Sequence, residues 1–108
     1  MNIGCVTYKK DVRTGGLTAR WHFENETTVV GGTGEATGSP GANYAGEYEI
    51  TYYPDGADPD GPYDLAIEEE DSYFKLSWFQ EGELKYSGIG ILNGPFLIAG
   101  WKSTTMED

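Results

Sequence analysis

Residues 73–101 read YFKLSWFQEGELKYSGIGILNGPFLIAGW, and this stretch decides the fold. Its three apolar runs are separated by two short turn signals, Glu-Gly at 81–82 and Asn-Gly at 93–94. Glycine accepts a positive φ at low cost, and Asn-Gly is the strongest short signal for a tight hairpin. From Phe74 to Trp78 every second residue is apolar, as in a strand with one buried face. The stretch predicts a three-stranded antiparallel meander.

The middle and last runs of this stretch are less regular. In the middle run the pattern predicts a change of buried face, from Leu84 and Tyr86 to Ile89 and Ile91, with glycines at 88 and 90 between them. Glycine inside a strand indicates a bulge, a sharp bend or close packing. The last run, 96–101, is apolar on both faces, which predicts a strand buried on both sides or packed against an end of the chain.

The rest of the chain repeats this pattern less cleanly. Alternating runs and turn-rich segments predict eight strands, at 3–8, 17–23, 27–36, 46–53, 63–68, 73–80, 84–91 and 95–101. We therefore expect one all-β domain, 1–108, folded as an eight-stranded antiparallel up-and-down meander barrel, since eight strands suffice to close a small sheet and remove its edges. Segment 54–62, PDGADPDGP, is the clearest predicted loop. Matching Trp and Gly-x-Gly positions leave open whether the barrel is two four-stranded halves.

A resemblance to a known group of barrels rests on the end of the chain. A strand ending in Trp78, a hairpin, Tyr-x-Gly-x-Gly at 86–90 and a closing Gly-Trp at 100–101 resemble the small calycin-like barrels, the lipocalin and avidin superfold. They also resemble small bacterial β-barrel domains of unknown function. Lipocalins are longer and begin with a Gly-x-Trp element not found here, and avidin's polar biotin contacts have no matching set. The resemblance, strongest over 73–101, implies a barrel and no particular ligand.

Charge narrows the classes of partner. The formal net charge is −11, and all of it falls in residues 47–108, where three lysines stand against fourteen acids. Such a surface repels phosphate backbones and anionic lipid, which disfavours nucleic-acid and membrane-surface binding. The chain shows no signal peptide and no apolar run long enough to span a membrane. Cytoplasm is the expected compartment, although a trimmed periplasmic domain would read the same.

The residues that usually carry chemistry form no recognisable constellation. His22 is the one histidine and is expected at the surface, while Cys5, the one cysteine, is expected as a buried thiol facing the same way as Ile3. Segment 55–61 lacks EF-hand ligands at the required positions, so a solvated turn is expected, with weak calcium binding through clustered carboxylates as the alternative. The acids at 68–71 are also expected to be a solvated turn. We predict no catalytic residue, no metal site, no cofactor and no enzymatic activity.

Aromatic residues are the strongest candidates for a binding site. With an open interior, tryptophan and tyrosine rings would offer stacking faces and hydroxyl donors to a ligand. The residues predicted to line such a cavity are Trp21, Tyr48, Tyr52, Trp78, Tyr86 and Trp101. The alternative is that these rings fill the barrel. The first expected function is a non-enzymatic protein-interaction module, such as an inhibitor or regulator. The alternative function is a binding protein for a small apolar or aromatic ligand.

Overall fold

Alternating side chains and short turns produce a sheet that closes on itself. The computed structural model describes residues 3–24 and 27–104, and no helix occurs in this part of the chain. Consecutive strands pair antiparallel, and the last strand pairs with the first to close the barrel. The strands are β1 (Ile3–Lys10), β2 (Leu17–Glu24), β3 (Val29–Thr37), β4 (Gly46–Pro54), β5 (Asp60–Glu69), β6 (Phe74–Gln80), β7 (Glu83–Asn93) and β8 (Phe96–Ser103). The predicted eight-stranded up-and-down barrel is confirmed.

The interior is filled mainly by aliphatic and aromatic side chains from alternate strand positions. The predicted inner face of β6 is confirmed, since β6 buries Phe74, Leu76 and Trp78. Tyr8, Ile50, Leu65 and other fully buried side chains belong to one cluster that runs through the barrel. Burial of this apolar area supplies the main favourable free energy of folding.

The barrel has a closed end and an open end. The closed end carries the connections 11–16, 38–45, 70–73 and 94–95. The open end carries the connections 55–59 and 81–82, together with the first residues of β1 and the last of β8. At 81–82 the turn has positive φ at both residues, 54° at Glu81 and 83° at Gly82, as a tight two-residue hairpin requires.

Two sequence-based expectations about facing are wrong. In β1 the interior receives Val6 and Tyr8, and Cys5 is exposed on the outer surface rather than buried. β7 does not change face, since Gly88 and Gly90 continue the inward row and Ile89 and Ile91 lie outside, 61% and 56% exposed. Inside, an added Cβ at Gly88 would collide with backbone of β8, so a larger residue does not fit there.

Two further expectations need correction. β8 is not buried on both faces, because Leu97 and Ala99 point inward while Phe96 is 40% exposed. Its outer apolar residues instead lie beside the outward isoleucines of β7, since Ile98 is paired with Ile91. The long loop is also shorter than predicted: only 55–59 separates the strands, and β5 begins at Asp60. This last difference brings an acidic residue to the rim of the open end.

Candidate ligand-binding site

A small cavity remains at the open end of the barrel. Its volume is about 50 Å³. We call it the aromatic cup, and it is lined by Trp21, Tyr52, Asp60, Tyr63, Trp78, Tyr86 and Trp101. These residues come from β2, β4, β5, β6, β7 and β8, so the wall of the cup is assembled from most of the sheet.

The wall of the cup is a continuous series of ring contacts. Tyr52 meets Trp21 edge to face, with ring centroids 6.1 Å apart. Tyr63 follows at 6.1 Å from Tyr52, and Tyr86 lies 5.8 Å from Tyr63. Trp101 completes the series at 5.1 Å from Tyr86, again edge to face. Such edge-to-face pairs are favourable beyond the area they bury and hold the rings in defined orientations.

Hydrogen bonds fix the floor of the cup. The indole N–H of Trp78 donates to the hydroxyl of Tyr52 at 2.7 Å. The Tyr52 hydroxyl is also hydrogen-bonded to that of Tyr8, 2.8 Å away. Burial raises the pKa of Tyr52 to about 12, against an ordinary value of 10.0, and burial likewise raises the pKa of Tyr8. Phenols are neutral at physiological pH even at their ordinary pKa, so the floor is an uncharged hydrogen-bonded network.

The rim of the cup carries a carboxylate. The hydroxyl of Tyr63 donates to Oδ1 of Asp60 at 2.9 Å. Burial, followed by the proximity of Tyr86 and the hydrogen bond to Asp60, raises the pKa of Tyr63 well above its ordinary value. Tyr63 thus stays protonated and holds the Asp60 side chain against the cup. Within residues 3–24 and 27–104, no lysine, arginine or histidine lines this cavity.

Glycines allow the rings to approach the wall. An added Cβ at Gly4 would collide with the indole of Trp101, so the ring lies directly over that glycine. One face of the same indole stacks on Phe23, with centroids 4.8 Å apart and planes 7° from parallel. Gly34 likewise leaves room for the ring of Tyr52, because a Cβ added at Gly34 would lie 2.8 Å from that ring. The indole N–H of Trp21 donates to the backbone carbonyl of Thr33 at 2.9 Å.

The structure brings five of the six sequence-predicted site residues together. Trp21, Tyr52, Trp78, Tyr86 and Trp101 all line the aromatic cup. The sixth residue, Tyr48, does not line the cup and packs at the closed end of the barrel. Two lining residues, Tyr63 and Asp60, are outside the predicted set. Asp60 was missed because the sequence places it within a predicted loop. The available signal was its position three residues before Tyr63, which begins an alternating apolar run.

The closed end is sealed by tyrosine hydroxyls that bond to the backbone. The hydroxyl of Tyr44 accepts the backbone N–H of Lys10 at 3.1 Å and lies within donating distance of the carbonyls of Tyr8 and Pro95, at 3.0 and 2.9 Å. The hydroxyl of Tyr48 donates to the carbonyl of Tyr44 at 2.8 Å. Segment 38–45 is therefore tied across the end of the barrel, and Tyr48 forms part of this seal.

Cys5 and His22 lie opposite each other on the outer surface. They are a cross-strand pair of β1 and β2, which the sequence separation does not suggest. The imidazole of His22, however, lies over Gly31 on the far side, where an added Cβ would be 2.7 Å from the ring. The imidazole thus leans toward β3, on the side of β2 away from β1 and Cys5.

Residues 3–24 and 27–104 also bear on metal binding and membrane insertion. Among them, no group of three or more histidine, cysteine, aspartate or glutamate side chains is placed to hold a metal ion. The same residues contain no helix that is long and apolar enough to cross a membrane.

The aromatic cup is thus the site in which side chains from distant parts of the sequence converge. Its chemistry is that of aromatic rings, a fixed neutral hydrogen-bond network and one rim carboxylate. Comparison with known proteins gives no precedent for it, because no family model, curated protein or solved structure matches the chain.

Proposed function

We propose that this protein is a non-enzymatic binding protein that holds a small apolar or aromatic group of its ligand in the aromatic cup. The observation that carries the proposal is the cavity itself. Its rings are held by contacts and hydrogen bonds that do not involve a ligand, such as that from Trp78 to Tyr52. A site that is already formed loses little conformational entropy when it binds.

The size of the cup limits the group that enters it. One water needs about 10–15 Å³ of cavity volume, so a cavity of about 50 Å³ holds roughly three to five waters. Pockets for drug-sized molecules are several times larger, about 300–1,000 Å³. The bound part is therefore a compact group, and the remainder of the ligand lies outside the open end. This arrangement agrees with the proposed calycin-like character of the barrel, since small barrels of that kind hold one ligand at the barrel interior.

Titration with small apolar and aromatic compounds tests the proposal. We expect phenol, indole or a comparably small alcohol to change the intrinsic tryptophan fluorescence, because three indoles line the cup. Truncation of Tyr86 by Tyr86→Ala removes part of the wall and is expected to weaken binding by about tenfold, the loss of one well-packed contact. The matched control is Tyr53→Ala, since Tyr53 is a half-exposed tyrosine outside the cup.

Two results would contradict this function. One is that no compound of the series changes the fluorescence or the NMR spectrum of the protein. The other is that Tyr53→Ala weakens binding as much as Tyr86→Ala does, since binding would then lie elsewhere.

A second candidate function, contact with a basic protein partner, is favoured by the outer surface of β4 and β5. Glu49 stands directly opposite Asp64 in the strand register, and Glu47 lies on the same outer face. Like charges placed opposite each other on a sheet are destabilising. A basic partner would relieve this repulsion, and the excess negative charge would speed its association.

The probe for this second function is a decalysine peptide. Its affinity is expected to fall steeply as salt is raised, because exposed charges are screened. The variant Glu49→Gln should weaken peptide binding while it raises the free energy of unfolding by about 0.2–1 kcal/mol, the usual scale of a cross-strand pair. Peptide binding that does not depend on salt would contradict a contact through this face.

A further inference from the structure

The charge and hydrogen bonding of the aromatic cup narrow the chemistry of its ligand. We propose that the group bound there is a trimethylammonium head group, the organic cation of choline and of trimethyllysine. This inference deepens the proposed function and rests on it, since it concerns the same cavity. Three features of the cup carry it: the rings, the commitment of its polar hydrogens, and its charge.

The first feature is the composition of the wall. Six of the seven lining residues are tryptophan or tyrosine. The face of an aromatic ring carries negative electrostatic potential and attracts a cation, most strongly for tryptophan. Cages of such rings are the general solution for binding quaternary ammonium groups, which are at once charged and covered with methyl groups. A wall of this composition therefore suits a cation with an apolar surface.

The second feature is that three polar hydrogens of the cup are already donated to acceptors within the protein. The indole N–H of Trp78 is donated to Tyr52, and that of Trp21 to the carbonyl of Thr33. The hydroxyl of Tyr63 is donated to Asp60. A ligand with carboxylate, phosphate or several hydroxyl groups would find these donors occupied and would lose its bonds to water without replacement. A quaternary ammonium has no N–H to donate, so it gives up no hydrogen bond to water when it enters the cup.

The third feature is the sign of the charge. The phenols of Tyr52 and Tyr63 are neutral at physiological pH, and burial raises their pKa values further, so the carboxylate of Asp60 supplies the charge at the rim. The protein as a whole carries −11, which attracts cations and repels anions over a longer range. A zwitterion or an anion would place its negative group against Asp60. The cup thus favours a ligand that is cationic without a neighbouring acid.

The size of the cavity agrees with this head group. A volume of about 50 Å³ corresponds to roughly three to five waters, which is comparable to a nitrogen with its methyl groups. The chain attached to the nitrogen would leave through the open end.

A comparison of choline with its neutral isostere tests the charge directly. The isostere is 3,3-dimethylbutan-1-ol, called dimethylbutanol below, which has the shape of choline with carbon in place of the quaternary nitrogen. Isothermal titration calorimetry on the full chain is expected to show choline binding about tenfold more tightly than dimethylbutanol, the scale of a desolvated cation–π contact. Equal or tighter binding of dimethylbutanol overturns the cation inference and leaves the proposed function standing. If neither compound binds, and no other small apolar compound does, the proposed function itself fails.

Two variants with the same change of charge locate the site. Asp60→Asn removes the rim carboxylate and is expected to weaken choline binding by about fivefold or more, a larger loss than it causes for dimethylbutanol. Asp58→Asn is the matched control, because Asp58 is an exposed acid of the neighbouring connection that does not line the cup. Equal effects of the two variants would mean that only the overall charge of the protein matters, and would overturn the assignment to the cup.

A third arm distinguishes the source of the head group. A short peptide with one trimethyllysine is compared with choline and with the same peptide carrying unmodified lysine. Tighter binding of the modified peptide than of choline identifies a protein tail as the source, and weaker binding identifies a free small molecule. Both outcomes require the trimethylammonium group to be recognised. Equal binding of the modified and unmodified peptides contradicts that recognition and overturns the inference.

Discussion

The two ends of the barrel use tyrosine in opposite ways. At the closed end, the hydroxyls of Tyr44 and Tyr48 bond to backbone groups of neighbouring segments. At the open end, the hydroxyls of Tyr52 and Tyr63 bond to side chains. Bonds to the backbone tie a connecting segment across the barrel mouth and close it. Bonds between side chains fix the rings along the wall and leave the space between them empty.

This difference suggests a division of labour between stability and binding. Substitutions at the closed end should mainly lower the free energy of unfolding. Substitutions at the open end should mainly change the cup. The predictions below test that division, beginning with the largest expected effect.

Truncation of one tyrosine at each end gives the largest contrast. Tyr44→Ala removes a buried ring and three hydrogen-bonded contacts, and is expected to cost about 3–5 kcal/mol, as for other buried aromatic residues. Tyr86→Ala removes a ring that is only partly buried and should cost about 2 kcal/mol or less. Urea unfolding followed by circular dichroism measures both values. Similar losses at the two ends would contradict the division.

High pH should weaken the fold through the buried phenols. Above pH 10 a tyrosine ionises in the unfolded chain, whereas Tyr52 keeps its proton in the fold until about pH 12. The unfolded state then binds fewer protons, so the free energy of unfolding falls as pH rises through this range. The raised pKa of Tyr52 alone corresponds to a loss of about 3 kcal/mol in the free energy of unfolding. The raised pKa values of Tyr8 and Tyr63 lower this free energy further. The decrease in the free energy of unfolding between pH 10 and pH 12 should be smaller in Tyr52→Phe. An unchanged decrease would contradict this explanation.

Added methyl groups should distinguish a rigid end from an adjustable one. In Gly38→Ala the new Cβ would lie 2.5 Å from the ring of Tyr48, and because that ring is enclosed the cost should be about 1–3 kcal/mol. In Gly4→Ala the new Cβ meets the indole of Trp101, which is only partly buried, so the ring can relieve part of the overlap by shifting toward solvent. We expect a small loss of stability but a changed tryptophan emission spectrum.

Gly100→Ala is the control for both variants, because the nearest heavy atom to an added Cβ there is 3.8 Å away. It should change neither stability nor emission appreciably. A larger loss in Gly4→Ala than in Gly38→Ala would show that the open end is the more rigid of the two.

Removal of a single hydroxyl gives the smallest effects. Tyr44→Phe removes the hydroxyl that accepts the backbone N–H of Lys10, and should lower the free energy of unfolding by about 2 kcal/mol. Tyr63→Phe frees an exposed carboxylate that water can solvate, so its cost should be about 1 kcal/mol or less. The second variant should nevertheless alter choline binding, because Asp60 loses the group that holds it. Differential scanning calorimetry gives the stabilities, and a larger loss in Tyr63→Phe would reverse the comparison.

Much of the barrel could be predicted because its signals are local. Alternation over a few residues defines β4, β5 and β6, and Asn-Gly at 93–94 defines a hairpin whatever surrounds it. The facing of β1 and β7 was harder, because both strands mix small and apolar residues on each side. Their inner faces are set by contacts with neighbouring strands and with the packed interior. Gly88 points inward because β8 is too close for a side chain, and Val6 fills the space that Cys5 was expected to take.

The candidate site shows the same limit. The aromatic residues were found from the sequence because they alternate within strands, and five of six line one cavity. Tyr48 and Tyr52 share a strand and a face, and nothing local tells which end of the barrel will be sealed. That depends on Tyr44, which reaches β1 and the connection between β7 and β8 from its own connecting segment.

The sequence by itself determined that eight strands run back and forth, and which faces of most of them are apolar, because strand period and turn chemistry depend on near neighbours. Only the tertiary structure decided that one end is closed, that Asp60 joins the rings of the other end, and that a small cavity remains there. These features arise from contacts between segments that are distant in sequence. Their geometry is fixed only when the last strand pairs with the first.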